Sequence, residues 1–206
     1  MSVLTLPVTL PDHDFAKITL SAQHQTARTT SPFSYHSQVF VHSGQRWMAD
    51  VDLPLQTRAD AEAWLAILME LAGGAGEIHL GDPAGAVPRG TANGTPLVDG
   101  ASQTGQQLDT KGWTPSQTGV LLAGDYIEIG SGTSRRLYKI VADADADGTG
   151  LATLKIWPRL RESPSDGAAI STSDTRGTFE IPPQDFGWQW QPPTLTSLKF
   201  HAVEAI

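Results

Sequence analysis

The chain has 206 residues, a formal net charge of −8, 39% hydrophobic residues, 20 Gly, 14 Pro and no cysteine. That length buries a proper core in one or two compact units, and Gly and Pro spread along the whole chain mark a turn-rich, mostly β protein rather than a disordered one. The acidic balance argues against binding nucleic acid by neutralising phosphates, and the absence of cysteine removes disulfides, thiol catalysis and thiolate metal sites.

The opening MSVLTLPVTLPDHDF lacks the basic start and long apolar stretch of a signal peptide, and no run approaches bilayer-spanning length. Synthesis and retention in the cytoplasm until assembly is the expectation. Strand patterns follow at Val3–Leu10, Ala16–Gln25, Tyr35–Val41 and Arg46–Leu53. His42-Ser43-Gly44-Gln45 reads as the hairpin loop between the last two, because a Gly there can take a positive φ. Trp47, Ala49 and Val51 alternate with Met48, Asp50 and Asp52, which gives one buried face and one acidic, wet face.

Thr57–Ala72 is the one clear helix. Ala61, Trp64, Leu65, Leu68 and Leu71 recur at helical spacing as an apolar stripe, with Arg58, Glu62 and Glu70 away from it. Thr57 and Asp60 form an approximate capping box, and Gly73 sits where a helix stops. Glu77–Leu80 reads as a short strand, and the turn-dense Gly81–Gly94 as a boundary between units.

A second unit then runs from Ala84 to Thr172. It offers strands near Leu97 and Gln106–Leu108, a Trp113 expected in the core or rim of a small barrel, and an antiparallel meander. In that meander Ile127 and Ile129 alternate with Glu128, and Ala152, Leu154 and Ile156 with Thr153 and Lys155, while Arg136–Val141 is apolar on both faces apart from Lys139. Arg176–Ile181, Phe186–Trp190 and Leu195–Val203 return to strand pattern and close the first unit, with Leu198, Phe200 and Ala202 facing one way and Lys199 and His201 the other. Residues 1–83 with 173–206 hold 6 Lys and Arg against 13 Asp and Glu, whereas 84–172 hold 8 against 9, so nearly all the negative charge lies in the first unit.

Catalytic and metal signatures are weak. Asp143-Ala144-Asp145-Ala146-Asp147-Gly148 matches the first half of an EF-hand loop, but the position for its bidentate Glu is Leu154, inside a strand; a solvated acidic turn is the better reading. The histidines at 13, 24, 36, 42, 79 and 201 show no i, i+4 pair and no HExxH, and no G-x-S-x-G elbow or phosphate loop is present. No catalytic residue, metal ligand or cofactor follows. Trp188 and Trp190 share a strand face and form a possible aromatic platform for a sugar ring, against the commoner use of Trp in cores and interfaces.

Gly119–Arg161, with GVLLAGDYIEIG, RRLYKIVADADADG and LKIWPRLRESPSDGAAI, the terminal FHAVEA, and AEAWLAILMELAGGAGEIHLGDP followed by PRGTANG resemble distal tail proteins of tailed bacteriophages and prophages. The likeness is one of phrasing and order from about Asp60 onward. It implies a mainly β fold: a β-sandwich with one flanking α-helix, like tail-tube proteins, formed by 1–83 and 173–206, with 84–172 as an inserted, outward-facing β-barrel-like domain. It also implies a structural virion protein without catalysis. Such a protein forms a homo-oligomeric, typically hexameric ring that meets the tail tube protein, the tail tip or hub proteins and possibly the tape measure protein, with no specific nucleic-acid binding and no membrane insertion.

In that setting an acidic lumen would repel DNA phosphates, and Asp50 and Asp52 are the expected lumen-lining carboxylates. A ring carrying these carboxylates on its outer wall contradicts that expectation. The rival reading is a carbohydrate-binding module of the tail tip, with Trp188 and Trp190 as its platform. A tail-tip enzyme is weakest, since no nucleophile or acid–base pair is visible.

Overall fold

The computed structural model describes residues 15–71, 75–183, 186–191 and 195–206. The strand expected over Val3–Leu10 and the helix stop at Gly73 lie outside them. In chain order the elements are β1 (Lys17–Thr30), β2 (Ser37–Asp52), β3 (Gln56–Thr57), α1 (Arg58–Glu70), β4 (Glu77–Leu80), β5 (Gly94–Val98), β6 (Gln107–Trp113), β7 (Tyr126–Ile129), β8 (Arg136–Ile140), β9 (Ala152–Trp157), β10 (Ile170–Ser171), β11 (Gly177–Glu180), β12 (Phe186–Gln191) and β13 (Leu195–Glu204). The protein is mainly β with one α-helix among the described residues.

Two antiparallel sheets result. The first runs β1-β2-β13-β11-β4; β13 also carries β3 and β12, so strands from both ends of the chain meet on it. The second runs β10-β7-β8-β9-β6-β5 and comes close to closing on itself. An isolated bridge between Leu97 and Ala169 joins its two edges, supported by Val98 N–H donating to Ala168 O at 2.9 Å and Gly167 N–H to Val98 O at 2.9 Å. Closure removes sheet edges that would otherwise invite stray pairing.

Alternation decides the facing of the first sheet. Trp47, Ala49 and Val51 are buried with Leu198, Phe200 and Ala202, while Asp50, Lys199 and His201 point to the opposite face. The five stripe residues of α1, from Ala61 to Leu71, are all buried against this inner face. Trp64 stacks on Phe200, with ring centroids 6.3 Å apart. The Thr57 hydroxyl donates to the Asp60 carboxylate at 2.7 Å, so the expected capping box is only a side-chain pair and makes no cap to the helix backbone.

The structure corrects two expectations. His42–Gln45 is not a loop: β2 continues through it, and the chain reverses at Ser31–His36 instead. Ser31-Pro32 supplies that turn, with Tyr35 N–H donating to Ser31 O at 3.0 Å and Ser31 N–H to His36 O at 2.9 Å. Gly44 serves a register shift after His24, where a Cβ would sit 3.1 Å from the Gln25 Cβ; close approach, rather than a positive φ, is what needs glycine.

β7 is not half-wet either, since all four of its residues are buried. Glu128 is covered by the chain around Arg176, whose N–H donates to it at 2.8 Å, and it pairs with Arg135 at 3.1 Å. Burial is the larger influence and raises its carboxyl above the usual range despite these partners. The acidic turn is the solvated one that its sequence predicts, with Asp143, Asp145 and Asp147 all exposed. Asp143 and Asp145 accept the N–H groups of Ala123 and Gly119, while Ala144 and Ala146 point into the barrel core.

The two sheets meet at an aromatic seam. Trp47 packs edge-on against Trp157, with centroids 4.4 Å apart, and its indole N–H donates to Leu137 O at 2.9 Å. β8 is therefore buried on both faces: Tyr138 and Ile140 fill the barrel, and Leu137 faces the first sheet. Beside this contact Arg161 grips Glu204 through two hydrogen bonds, at 2.9 and 2.5 Å, and the Trp47 main-chain N–H donates to the same carboxylate at 2.9 Å.

Both partners of that ion pair are almost wholly buried, so removing one strands the other. Glu204→Gln is expected to lower stability by about 3–5 kcal/mol in chemical denaturation; a loss below about 1 kcal/mol would show that the pair behaves as a surface bridge. Asp147 gives a second test. Hydrogen bonds from Leu151 N–H, then from the Thr149 hydroxyl and N–H, hold its carboxyl below the ordinary aspartate range. A depressed carboxyl stabilises the fold above its unfolded pKa and loses that contribution as pH falls through the folded one. The protection of the Thr149 and Leu151 amides, taken relative to intrinsic exchange at each pH, should therefore fall as pH drops below the usual aspartate range, and Asp147→Ala should remove it at every pH.

Candidate functional site

The most exposed part of the protein is the outer half of the β1–β2 hairpin. Thr26 pairs with Val41, and the register runs from there to Thr30 and Ser37 with no third strand on either edge among the described residues. From Ser21 to Gly44 every residue but Ser31 is exposed, so both faces of this two-stranded arm meet water. It projects about 20 Å beyond the register shift, at ~3.3 Å per residue. Isolated two-stranded ribbons are marginal in water.

The arm also carries an unusual surface. Phe33 is 96% exposed and Tyr35 83%, with Val39, Phe40 and Val41 exposed behind them. The Ser31 side chain accepts from Phe33 N–H at 3.3 Å and holds the tip in shape. Between Phe15 and Ala49 there are Lys17, Arg28 and Arg46 and no carboxylate. Only Arg28 of these lies in the arm beyond the register shift, while Lys17 stands beside Asp52 and Arg46 beside Gln23 on the body, so the arm carries one cation and no carboxylate and the rest of the first unit holds five Lys and Arg against thirteen Asp and Glu.

Trp188 and Trp190 lie at the other end of the same sheet. They pair with Leu198 and Thr196, which places both on the face covered by α1, and they stay 53% and 65% exposed. Together with Arg58, Ala61, Glu62, Leu65 and Thr196 they line a groove of about 360 Å³ between β12 and α1. Gln56 shares the cross-strand row of Thr196 and Trp190; it is buried, and neither polar atom of its side chain has a hydrogen-bond partner among the described residues.

Asp50 and Asp52 are on the opposite, uncovered face. Asp50 accepts from His201 at 2.8 Å, Asp52 pairs with Lys199 at 3.2 Å, and Lys17 stands beside Asp52 in the register. This face is wet, as alternation requires, but its carboxylates meet Lys17, Lys199 and His201 on neighbouring strands, which the pattern of one strand cannot show. The two sequence-derived candidate pairs therefore sit on opposite faces and form no joint site. Among the described residues no cluster of three or more metal-ligating side chains occurs, and no helix is long and apolar enough to cross a membrane.

No protein-family model matches the chain, and no curated protein matches it. Three features organise this surface: an aromatic-tipped arm free of carboxylates, an aromatic groove, and an open face on which Asp50 and Asp52 meet His201, Lys17 and Lys199. The arm tip was missed in the sequence because His42–Gln45 carried the stronger loop signal. Two signals were available, the Ser31-Pro32 turn and the absence of carboxylates from Phe15 to Ala49.

Exposure predicts how the tryptophans differ. Trp64→Ala removes a fully buried ring and should cost about 3–5 kcal/mol, whereas Trp190→Ala should stay within about 1 kcal/mol of the parent; thermal unfolding of both variants checks this. Equal losses would show that the groove indoles are core.

Proposed function

We propose that the protein is a structural component of a phage tail, a subunit of a ring that joins the tail tube to the tail tip and lets DNA pass through its lumen. The observation that carries this reading is the projecting arm, a ribbon whose two faces and apolar tip are uncovered among the described residues. In this reading, assembly covers them. Contacts between different patches on successive copies close into rings when the rotation allows.

The resemblance to distal tail proteins supplies the setting. In this reading the first sheet and its helix, completed to a sandwich, form the ring unit. The barrel of residues 84–172 faces outward, and the open face with Asp50 and Asp52 turns toward the lumen. The strongly acidic remainder of the first unit then surrounds a channel from which DNA phosphates are repelled. The partners are further copies of the chain, the tail tube protein and tail-tip proteins, possibly with the tape measure protein. The protein is not an enzyme, and its place is the virion.

A second reading rests on a separate observation. Two exposed indoles beside the Arg58–Glu62 pair resemble a sugar platform, so a glycan-binding module of the tail tip is the alternative. Trp188→Ala abolishing retention on a host polysaccharide, with the fold intact, would favour it.

Sedimentation velocity separates the readings. The full chain should sediment as a closed oligomer at high concentration, and a chain with residues 26–41 replaced by an Asn-Gly turn should remain folded and monomeric. A full chain that stays monomeric into the millimolar range, where even weak specific association registers, contradicts the ring.

A further inference from the structure

We infer that a cleft beneath β1 binds a small organic acid, one anionic group on a flat aromatic body, of which an arylcarboxylate is the simplest form. The site is independent of ring assembly and of the Trp188–Trp190 groove.

The cleft exists because the barrel stops short of β1. Leu20 pairs with Ala49 and Ala22 with Trp47, so these side chains share the inner face that carries Trp47. Tyr126 and Trp157 pack on Trp47 from the barrel and bury it, but Leu20 is only half-buried and Ala22 and His24 stay exposed. A space of about 320 Å³ remains between these β1 residues and the side chains of Trp47, Trp157, Tyr126 and Lys139. Ligand pockets run from about 300 to 1,000 Å³. This one suits a ligand of one or two rings.

Its charge selects an anion. The lining holds one lysine and no carboxylate. The Lys139 ammonium donates to the Tyr126 hydroxyl at 2.8 Å and lies 4.3 Å from the centre of that ring. Burial first, and then Asp82, which accepts from the phenol at 3.0 Å, push the Tyr126 hydroxyl well above its ordinary range, so this partner of Lys139 is neutral. Among the described residues no carboxylate forms an ion pair with Lys139. An acid entering the cleft supplies that counterion through a charge-assisted hydrogen bond.

Its walls select an aromatic body. Trp47 gives its indole N–H to Leu137 O, the Trp157 N–H is covered, and the Tyr126 hydroxyl donates to Asp82, which leaves Lys139 and His24 as the polar side chains open to a ligand. A sugar would bury several hydroxyls with too few partners, whereas an aromatic acid needs one charged contact and apolar walls. Trp47 and Trp157 meet edge-on at 86°, so the wall offers both a ring face and a ring edge, the two surfaces on which aromatic groups pack.

Calorimetric titration of the full chain with naphthoate tests the site. One molecule should bind per chain, and the neutral naphthalenemethanol should bind at least about tenfold more weakly, the effect of losing one charged contact. Lys139→Met should bring the acid down to the level of the alcohol. Ala22→Trp fills the cleft from an exposed strand position and should abolish binding of both, with the far-ultraviolet dichroism unchanged. Because the walls come from both sheets, naphthoate should also raise the unfolding temperature of the parent and not that of Ala22→Trp. Trp190→Ala should bind as the parent does.

Absence of naphthoate binding to the parent at a dissociation constant of about 1 mM or tighter overturns the site. Equal affinity for acid and alcohol overturns recognition of the charge by Lys139. Unchanged binding in Ala22→Trp, or binding lost in Trp190→Ala, places the ligand outside the cleft and overturns the assignment.

Discussion

The buried Arg161–Glu204 pair is the constraint on which the relation of the two sheets depends. Arg161 follows the last long strand of the barrel and Glu204 ends the last strand of the first sheet. Their carboxylate also caps the Trp47 main-chain N–H, so three distant parts of the chain share one charged node. Such a pair adds little net stability over an apolar replacement, because desolvation consumes most of the attraction. Its effect is on geometry. Only one placement of the barrel against the sheet satisfies both charges, and the Trp47–Trp157 contact fills the space that placement leaves.

That fixed seam explains why the arm is free. The barrel edge occupies the Trp47 end of the sheet's inner face, and α1 occupies the Phe200 end, so the inner face from Trp47 to Val51 and from Leu198 to Ala202 is used within the body. Beyond His24 the hairpin outruns both covers. His24 itself still packs on Trp157, and Arg159 N–H donates to the Gln45 side chain at 2.9 Å, which marks the last support from the body. The rest of the ribbon is organised by its own pairing and by the turn at Ser31.

Much of this was legible from pattern. The helical stripe from Ala61 to Leu71 and the facing of β9 and β13 follow from period alone, because each has one dominant burial direction. Facing failed where a strand is covered twice. Glu128 reads as a wet residue between two isoleucines, yet a segment more than forty residues away closes over it, and no local rule registers that. The Asp50–Asp52 face reads as acidic for a similar reason: the cations that answer it stand on β1 and β13. The hairpin turn was misplaced because Gly44 has two structural uses, and sequence alone does not say whether a glycine turns a chain or admits a close neighbour. Trp188 and Trp190 were placed on one face correctly; what lay outside reach was the helix edge that makes that face a groove.

The central claim is that these features serve a closed ring. Negative-stain electron microscopy of the full chain at high concentration, with particles sorted by rotational symmetry, tests it most directly. The account predicts rings of a single symmetry with a central hole, joined by a density that spans neighbouring subunits where the arm projects. Open filaments or a field of monomers with no closed particles would contradict it.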